Sequence, residues 1–185
     1  MDLDGRIVLV TGGSTGIGKE IARALGRAGA RVAICARTRS TLEETAEELA
    51  RDGFEVLAVP ADVSREDEVD RLAARVRDEM GPPDVLVNNA GVARFGRVDE
   101  LTAGDFDDVF DVNVRGLFLC SRAFVPAMIE RGDGVVVNIA SLAGKNAFAG
   151  GSVYAGSKHA VMGLSRSMML DLREHGVRVI TVCPG

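Results

Sequence analysis

Arg6-Ile7-Val8-Leu9-Val10-Thr11 runs directly into Gly12-Gly13-Ser14-Thr15-Gly16-Ile17-Gly18. The first six residues form an almost continuous apolar run between Gly5 and Gly12, the pattern of a strand buried on both faces. Residues 19–28 are good helix formers, closed by Gly29. Strand, glycine turn and helix together make the setting of a phosphate-binding loop. Glycine lets the backbone approach a pyrophosphate, and the helix N-terminus offers free N–H groups and the positive end of its dipole. The spacing is T-G-x-x-x-G-x-G through Thr11, Gly12, Gly16 and Gly18, rather than G-x-G-x-x-G. A glycine turn alone is a weak sign, because any tight strand-to-helix turn needs glycine. Its place directly after an apolar strand near the N-terminus gives it weight.

Outward from this unit the alternation continues. Further strands are predicted over 31–36, 55–60, 84–87, 135–139 and 177–182. Ser40-Thr41-Leu42-Glu43 reads as a capping box that opens a helix ending at Gly53. Ser64 reads as the cap of a helix running to about Met80, stopped by Gly81-Pro82-Pro83. A long helix is predicted over 105–128, with Asn113 inside it. Mid-helix asparagine is a mild disruptor, so Asn113 is either solvated or has a task. From about Val153 to Gly176, Val161, Leu164, Met168 and Leu172 recur at helical steps. Six strands alternating with helices define a doubly wound α/β fold of Rossmann type. A single domain over 1–185 would hold a mostly parallel sheet with helices on both faces. Ligands of such sheets bind beyond the carboxyl ends of the strands. Thr11, Arg37, Asp62, Asn88, Ser141 and Pro184 stand at those ends.

Composition narrows the function classes. Hydrophobic residues make up 46% and charged residues 26% of the chain, and the net charge is -5 with no basic run. That balance gives no footprint for nucleic acid. No apolar stretch approaches the ~20 residues of a membrane span, and the acidic N-terminus is unlike a signal peptide. Cys35, Cys120 and Cys183 fit no metal spacing and read as reduced thiols of a cytoplasmic protein. No metal site is expected.

Tyr154-Ala155-Gly156-Ser157-Lys158 comes after the run Ala149-Gly150-Gly151, and Tyr154 is the single tyrosine of the chain. In a helix a phenol and an ammonium four residues apart share a face. A fixed cation beside a phenol favours the phenolate, the form needed for proton exchange near neutrality. At the end of the second strand an acidic residue would bond the 2′-hydroxyl of NAD. Here Ala36 and Arg37 stand instead, and a guanidinium suits a 2′-phosphate, which favours NADP(H) over NAD(H). Each residue also has a plain structural explanation. Ser141 could cap the next segment, Asn88 and Asn89 could satisfy backbone at a strand end, and Asp62 could cap the next helix. Arg37 could be a solvated strand end, and a bare Y-x-x-x-K is usually a surface pair.

As a set, Thr11 to Gly18, Asp62-Val63, Asn88-Asn89-Ala90-Gly91, Asn113, Ser141, Tyr154-x-x-x-Lys158 and Pro184-Gly185 resemble the short-chain dehydrogenase/reductase family. They occur in its order and close to its spacing, across essentially the whole chain. Within the family they resemble the NADP-preferring 3-oxoacyl-ACP reductases. The resemblance implies that Tyr154 is the general acid or base and that Lys158 assists it and holds the nicotinamide ribose. Ser141 would donate to the substrate oxygen, and Asn113 would hold a water that links Lys158 to solvent. It implies that Gly12, Ser14, Thr15, Gly16, Ile17 and Gly18 bind the pyrophosphate side. Arg37, Asp62, Val63, Asn88, Ala90 and Gly91 would bind the adenosine side, with Pro184 and Gly185 also at the cofactor. Thr15 departs from the basic residue that many NADP-preferring relatives carry there, which leaves Arg37 as the argument for NADP. The family's long helices imply a homodimer or homotetramer. Members continue some tens of residues beyond Pro184-Gly185. The chain is therefore expected to be a fragment that lacks a seventh strand and the substrate-covering segment, with residues 177–182 an exposed, association-prone edge. The expected function is hydride transfer between nicotinamide and a carbonyl or secondary alcohol. An NAD-linked sugar or steroid dehydrogenase, or a nucleotide-binding protein without turnover, stands as the alternative.

Overall fold

A computed structural model describes residues 2–185. Six strands form one sheet: β1 (Ile7–Thr11), β2 (Arg31–Ala36), β3 (Val56–Pro60), β4 (Val85–Asn88), β5 (Gly134–Ile139) and β6 (Val177–Val182). Their spatial order is β3-β2-β1-β4-β5-β6, and every pair is parallel. The order reverses between β1 and β4, where Val8 pairs with Val32 on one side and Val85 on the other. That reversal opens the crevice in which doubly wound sheets bind ligands. Apolar runs suit these strands because both faces are covered. Val8 and Val10 face one cluster, with Ala22 of α1 (Gly16–Arg27) and Leu42 and Leu49 of α2 (Arg39–Arg51). Leu9 and Leu86 face the other, with Leu72 of α3 (Glu66–Glu79) and Phe124 and Met128 of α5 (Leu117–Arg131).

Local side-chain chemistry moves several helix ends from their predicted places. α2 starts at Arg39 behind Thr38, with no side-chain cap, so the expected Ser40 box is absent. Glu43 instead accepts from Arg39 at 3.2 Å. Ser64 does not cap α3, whose N-cap position is Arg65. Its N–H and hydroxyl both donate to Asp62 Oδ1, at 3.0 and 2.7 Å, so an Asx-type turn uses the groups that would have capped the helix. The predicted helix over 105–128 is three pieces: α4 (Ala103–Phe110), a wide π turn (Asp111–Gly116) and α5. Thr102 and Asp105 form a reciprocal capping box before α4. The π turn holds Asn113, the mid-helix disruptor, which is buried and not solvated. α6 (Ser152–Leu172) carries the Tyr154 motif. Contrary to the expectation from the sequence, one helical run, Ala103–Arg131, is long and apolar enough to cross a membrane. Half of its most apolar window is buried inside the fold, which makes it a core element. β6 is an edge strand with Ile180 and Val182 exposed.

Candidate active site

The carboxyl ends of β1 and β4 are stitched together. Thr11 Oγ1 accepts the N–H groups of Asn89 and Ala90, both at 3.0 Å, and the Asn89 amide donates to the Thr11 and Gly12 carbonyls at 2.9 and 3.1 Å. This close approach requires glycine. Gly12 has φ +62, and a Cβ there would meet Ala90 Cα at 2.9 Å. A Cβ on Gly18 would strike the Gly12 carbonyl oxygen, whereas Gly16, also at positive φ, faces open space. α1 begins behind Thr15 with no side-chain cap, so its first N–H groups remain for a ligand.

A cleft of about 530 Å³ opens along this seam. Its floor is Gly12, Ser14, Thr15, Gly16, Ile17 and Gly18. Arg37 from the end of β2, and Asp62 and Val63 from the end of β3, form one wall. Ala90 and Gly91 after β4, Ser141 after β5, and Pro184 and Gly185 after β6 form the other, with Tyr154 and Lys158 of α6. An elongated cleft with a glycine floor, free helix N–H groups and a cation at one end fits a dinucleotide. Arg37 is exposed and has no hydrogen bond or ion pair among the described residues.

Asn88 is a correction. Its side chain points into the interior, where Nδ2 donates to Ser121 Oγ (3.1 Å) and Asn138 Oδ1 (2.9 Å), and it is not on the cleft wall. On an alternating strand its neighbour Asn89 faces the cleft, and the sequence offered both asparagines without telling them apart. Asn113 also lies off the wall. Its amide donates to Val92 O (2.9 Å) and Ser157 Oγ (3.0 Å) and accepts from Val92 N (2.8 Å), so its side-chain donors are spent on protein and not on water.

Lys158 is only 5% exposed, and its Nζ donates to Ile139 O at 2.9 Å. Burial lowers its pKa to about 8. The ammonium stands 5.8 Å from the centre of the Tyr154 ring. Phe95 packs edge-on against the same ring with centroids 5.5 Å apart, and Phe148 lies 6.0 Å from Phe95. Ser141 Oγ accepts from Ala143 N at 3.1 Å, so it caps the next turn, the plain structural role open to it. An accepting hydroxyl still has its own proton to donate. Asn89 satisfies backbone carbonyls at a strand end, the plain role open to it, while the Ile139 carbonyl and the two phenylalanines are residues that sequence reasoning passed over. Neither the carbonyl nor the phenylalanines had a signal in the sequence. Cys35 and Cys120 are buried, and desolvation pushes the Cys35 thiol up to about 12, which makes it inert.

A parallel sheet with a glycine-floored crevice at its reversal, and a tyrosine–lysine pair on the opposite wall, defines a nucleotide-dependent oxidoreductase architecture. Residues 6–185 match the model of the family described as short chain dehydrogenase, and the chain belongs to that family. A putative ketoacyl reductase of Streptomyces coelicolor is 42% identical over 184 residues, which is 98% of this chain and 70% of that protein. A metagenomic short-chain oxidoreductase solved in complex with NADP is 42% identical at TM-score 0.95, covering 100% of this chain and 84% of that one. A Burkholderia phymatum member solved with NAD is 33% identical at TM-score 0.96, covering 100% of this chain and 66% of that one. The protein is thus an NAD(P)-dependent oxidoreductase of carbonyl and alcohol substrates.

Proposed function

We propose that Tyr154 exchanges the proton of a carbonyl/secondary-alcohol pair at the end of a cleft that prefers NADP(H) to NAD(H). The observation that carries this reading is that Tyr154 and Lys158 line the same cleft as the uncapped start of α1. The bound dinucleotide supplies or accepts the hydride. Everything else is the work of this chain. Ser141 Oγ donates to the substrate oxygen and holds it beside the phenol. In the reducing direction Tyr154 gives that oxygen its proton, and in the oxidising direction it removes it. The Lys158 ammonium offers positive charge as the phenol gives up its proton, and this attraction is weakly screened because the ammonium itself is buried. The unpaired Arg37 supports a preference for a 2′-phosphate, as does the NADP complex of the metagenomic relative. Gly12 and Gly18 hold the pyrophosphate side, and Asp62, Val63, Ala90 and Gly91 the adenosine side. Asn113 acts by bracing the Val92 loop.

Phe95, Phe148 and Leu142 are exposed around Tyr154 and Ser141, which supports a substrate with an apolar body. The reductase name of the Streptomyces relative supports reduction of a ketone. Exposed Phe118 on α5 and Met169 and Leu170 on α6 support a homodimer or homotetramer through these helices. The thiol usage supports a cytoplasmic setting.

The test is NADPH oxidation against a panel of apolar ketones, with Tyr154→Phe alongside. Turnover in the wild type and none above background in the variant is the expected result. Equal turnover would remove Tyr154 from the mechanism.

A further inference from the structure

α6 uses one side-chain device twice. Ser157 and Ser165 each donate a hydroxyl to a carbonyl of their own helix, Tyr154 O and Val161 O, both at 2.7 Å. Each also accepts from a buried asparagine on another element. Asn113 Nδ2 reaches Ser157 Oγ at 3.0 Å, and Asn138 Nδ2 reaches Ser165 Oγ at 2.9 Å. Ser157 is 0% exposed.

The two tethers hold different things. Asn138 lies within β5 and ties α6 to the sheet. Asn113 lies in the π turn and also clamps both backbone groups of Val92. A Cβ on Gly91 would sit 3.2 Å from Asn113 Oδ1 and 3.6 Å from Lys158 Nζ, so amide and ammonium converge on one glycine. Meanwhile α6 begins behind Gly151 with no side-chain cap, unlike α4 with its Thr102 box. The turn that bears Tyr154 therefore has no side-chain cap, and the hydroxyl of Ser157 bonds directly to the carbonyl of Tyr154.

We propose that Ser157 is a positioning residue for the Tyr154–Lys158 pair. It fixes the first turns of α6 against Asn113 and, through Asn113, against the loop that forms one wall of the cleft. The inference rests on the proton role proposed for Tyr154. Removing the hydroxyl orphans a buried Asn113 donor and lets the first turns of α6 shift. Small displacements at a reacting pair lower turnover more than binding.

Ser157→Ala, Ser157→Thr and Ser165→Ala, each in the full chain, test it through amide hydrogen exchange and steady-state kinetics. Ser157→Ala is expected to speed exchange over residues 152–158 by about ten-fold or more, since local opening there becomes easier. It is expected to lower kcat by about ten-fold or more with the KM for dinucleotide within about three-fold, the signature of a misplaced reacting group. Ser157→Thr keeps the hydroxyl, which can still bond a preceding helix carbonyl, and should recover kcat to within about three-fold of wild type. Ser165→Ala should loosen its own turn and leave kcat within about two-fold, because its asparagine braces the sheet and not the reacting pair.

Unchanged exchange over 152–158 in Ser157→Ala overturns the proposal whether or not turnover is detected. Faster exchange with unchanged kcat also overturns it, leaving Ser157 a structural residue. Equal kcat losses in Ser157→Ala and Ser165→Ala do the same. Turnover that survives Tyr154→Phe sinks the underlying mechanism instead, a result told apart because it leaves the exchange difference intact.

Discussion

The two halves of the sheet bury different chemistry. In β1, β2 and β3 with α1 and α2, the core is Val, Leu, Ile, Ala and Cys, and Thr11 and Thr45 are the only fully buried polar side chains among the described residues. From β4 to α6 the interior takes in Asn88, Asn113, Ser121, Asn138, Ser157, Lys158 and Ser165. Three serine–asparagine pairs account for most of them, at Ser121–Asn88, Ser165–Asn138 and Ser157–Asn113. Among the buried side-chain nitrogens and oxygens of the described residues only Asn88 Oδ1 is left without a partner. A dinucleotide can be held by shape, backbone N–H groups and one helix terminus, so the first half needs only close glycine packing. Moving a proton requires ionisable groups kept from water at fixed places. Such groups are costly to bury unless each is bonded, so a network accompanies them.

If the halves divide the work in this way, variants should separate binding from turnover. The largest effect belongs to Tyr154→Phe, which should lower turnover by roughly a hundred- to ten-thousand-fold, the usual worth of general acid–base catalysis. NADPH affinity, read by nicotinamide fluorescence, should stay nearly constant; a parallel loss of affinity would break the division. Gly18→Ala should do the reverse. Its Cβ collides with Gly12 O, and overpacking of this kind costs about 1–3 kcal/mol, or roughly five- to 150-fold in NADPH affinity, with the unfolding midpoint as a control.

Arg37→Ala sharpens the comparison within the first half. Loss of a charge-assisted bond should weaken NADPH by about ten-fold, with NADH unaffected. Equal affinities for the two dinucleotides in the wild type would defeat the Arg37 argument outright.

The smallest effect is a pH dependence from the second half. An unfolded lysine keeps its proton to about pH 10.4, whereas buried Lys158 releases it near 8. Between these values the unfolded chain binds more protons, so the contribution of this group to stability rises with pH there. The ammonium itself is lost over the same range. Dinucleotide affinity and turnover should therefore fall several-fold as pH rises through about 8, and Lys158→Met should flatten the affinity profile.

The contrast also explains what the sequence made legible. The apolar runs of β1 and β2 and the glycines at 12, 16 and 18 can be read because packing, close approach at 12 and 18, and the positive φ of 12 and 16 leave few residue types to choose from. Tyr154 and Lys158 could be read from spacing, since both extend from one helical face. The direction in which an asparagine points could not. Asn88 and Asn89 are adjacent and chemically identical, and only the pleat sends one inward to Ser121 and the other to Gly12. The π turn had a hint in Asn113, but its extent depends on contacts with Val92 and Ser157, from segments distant in the chain. Helix starts at Arg39 and Glu66 were displaced by ion pairs and an Asx turn, which periodicity does not register.

The stitching of β1 to β4 has a consequence for how the chain folds. Asp84 binds Arg6 at 2.7 Å and the Ile7 N–H at 2.9 Å, pairs separated by 78 and 77 residues, and the glycine floor is held by the same long-range seam. Both flanking βαβ units can form from near neighbours, but the cleft exists only after this wide loop closes, a step of high contact order. Dinucleotide added to refolding chains would then report the last assembly step and not the first.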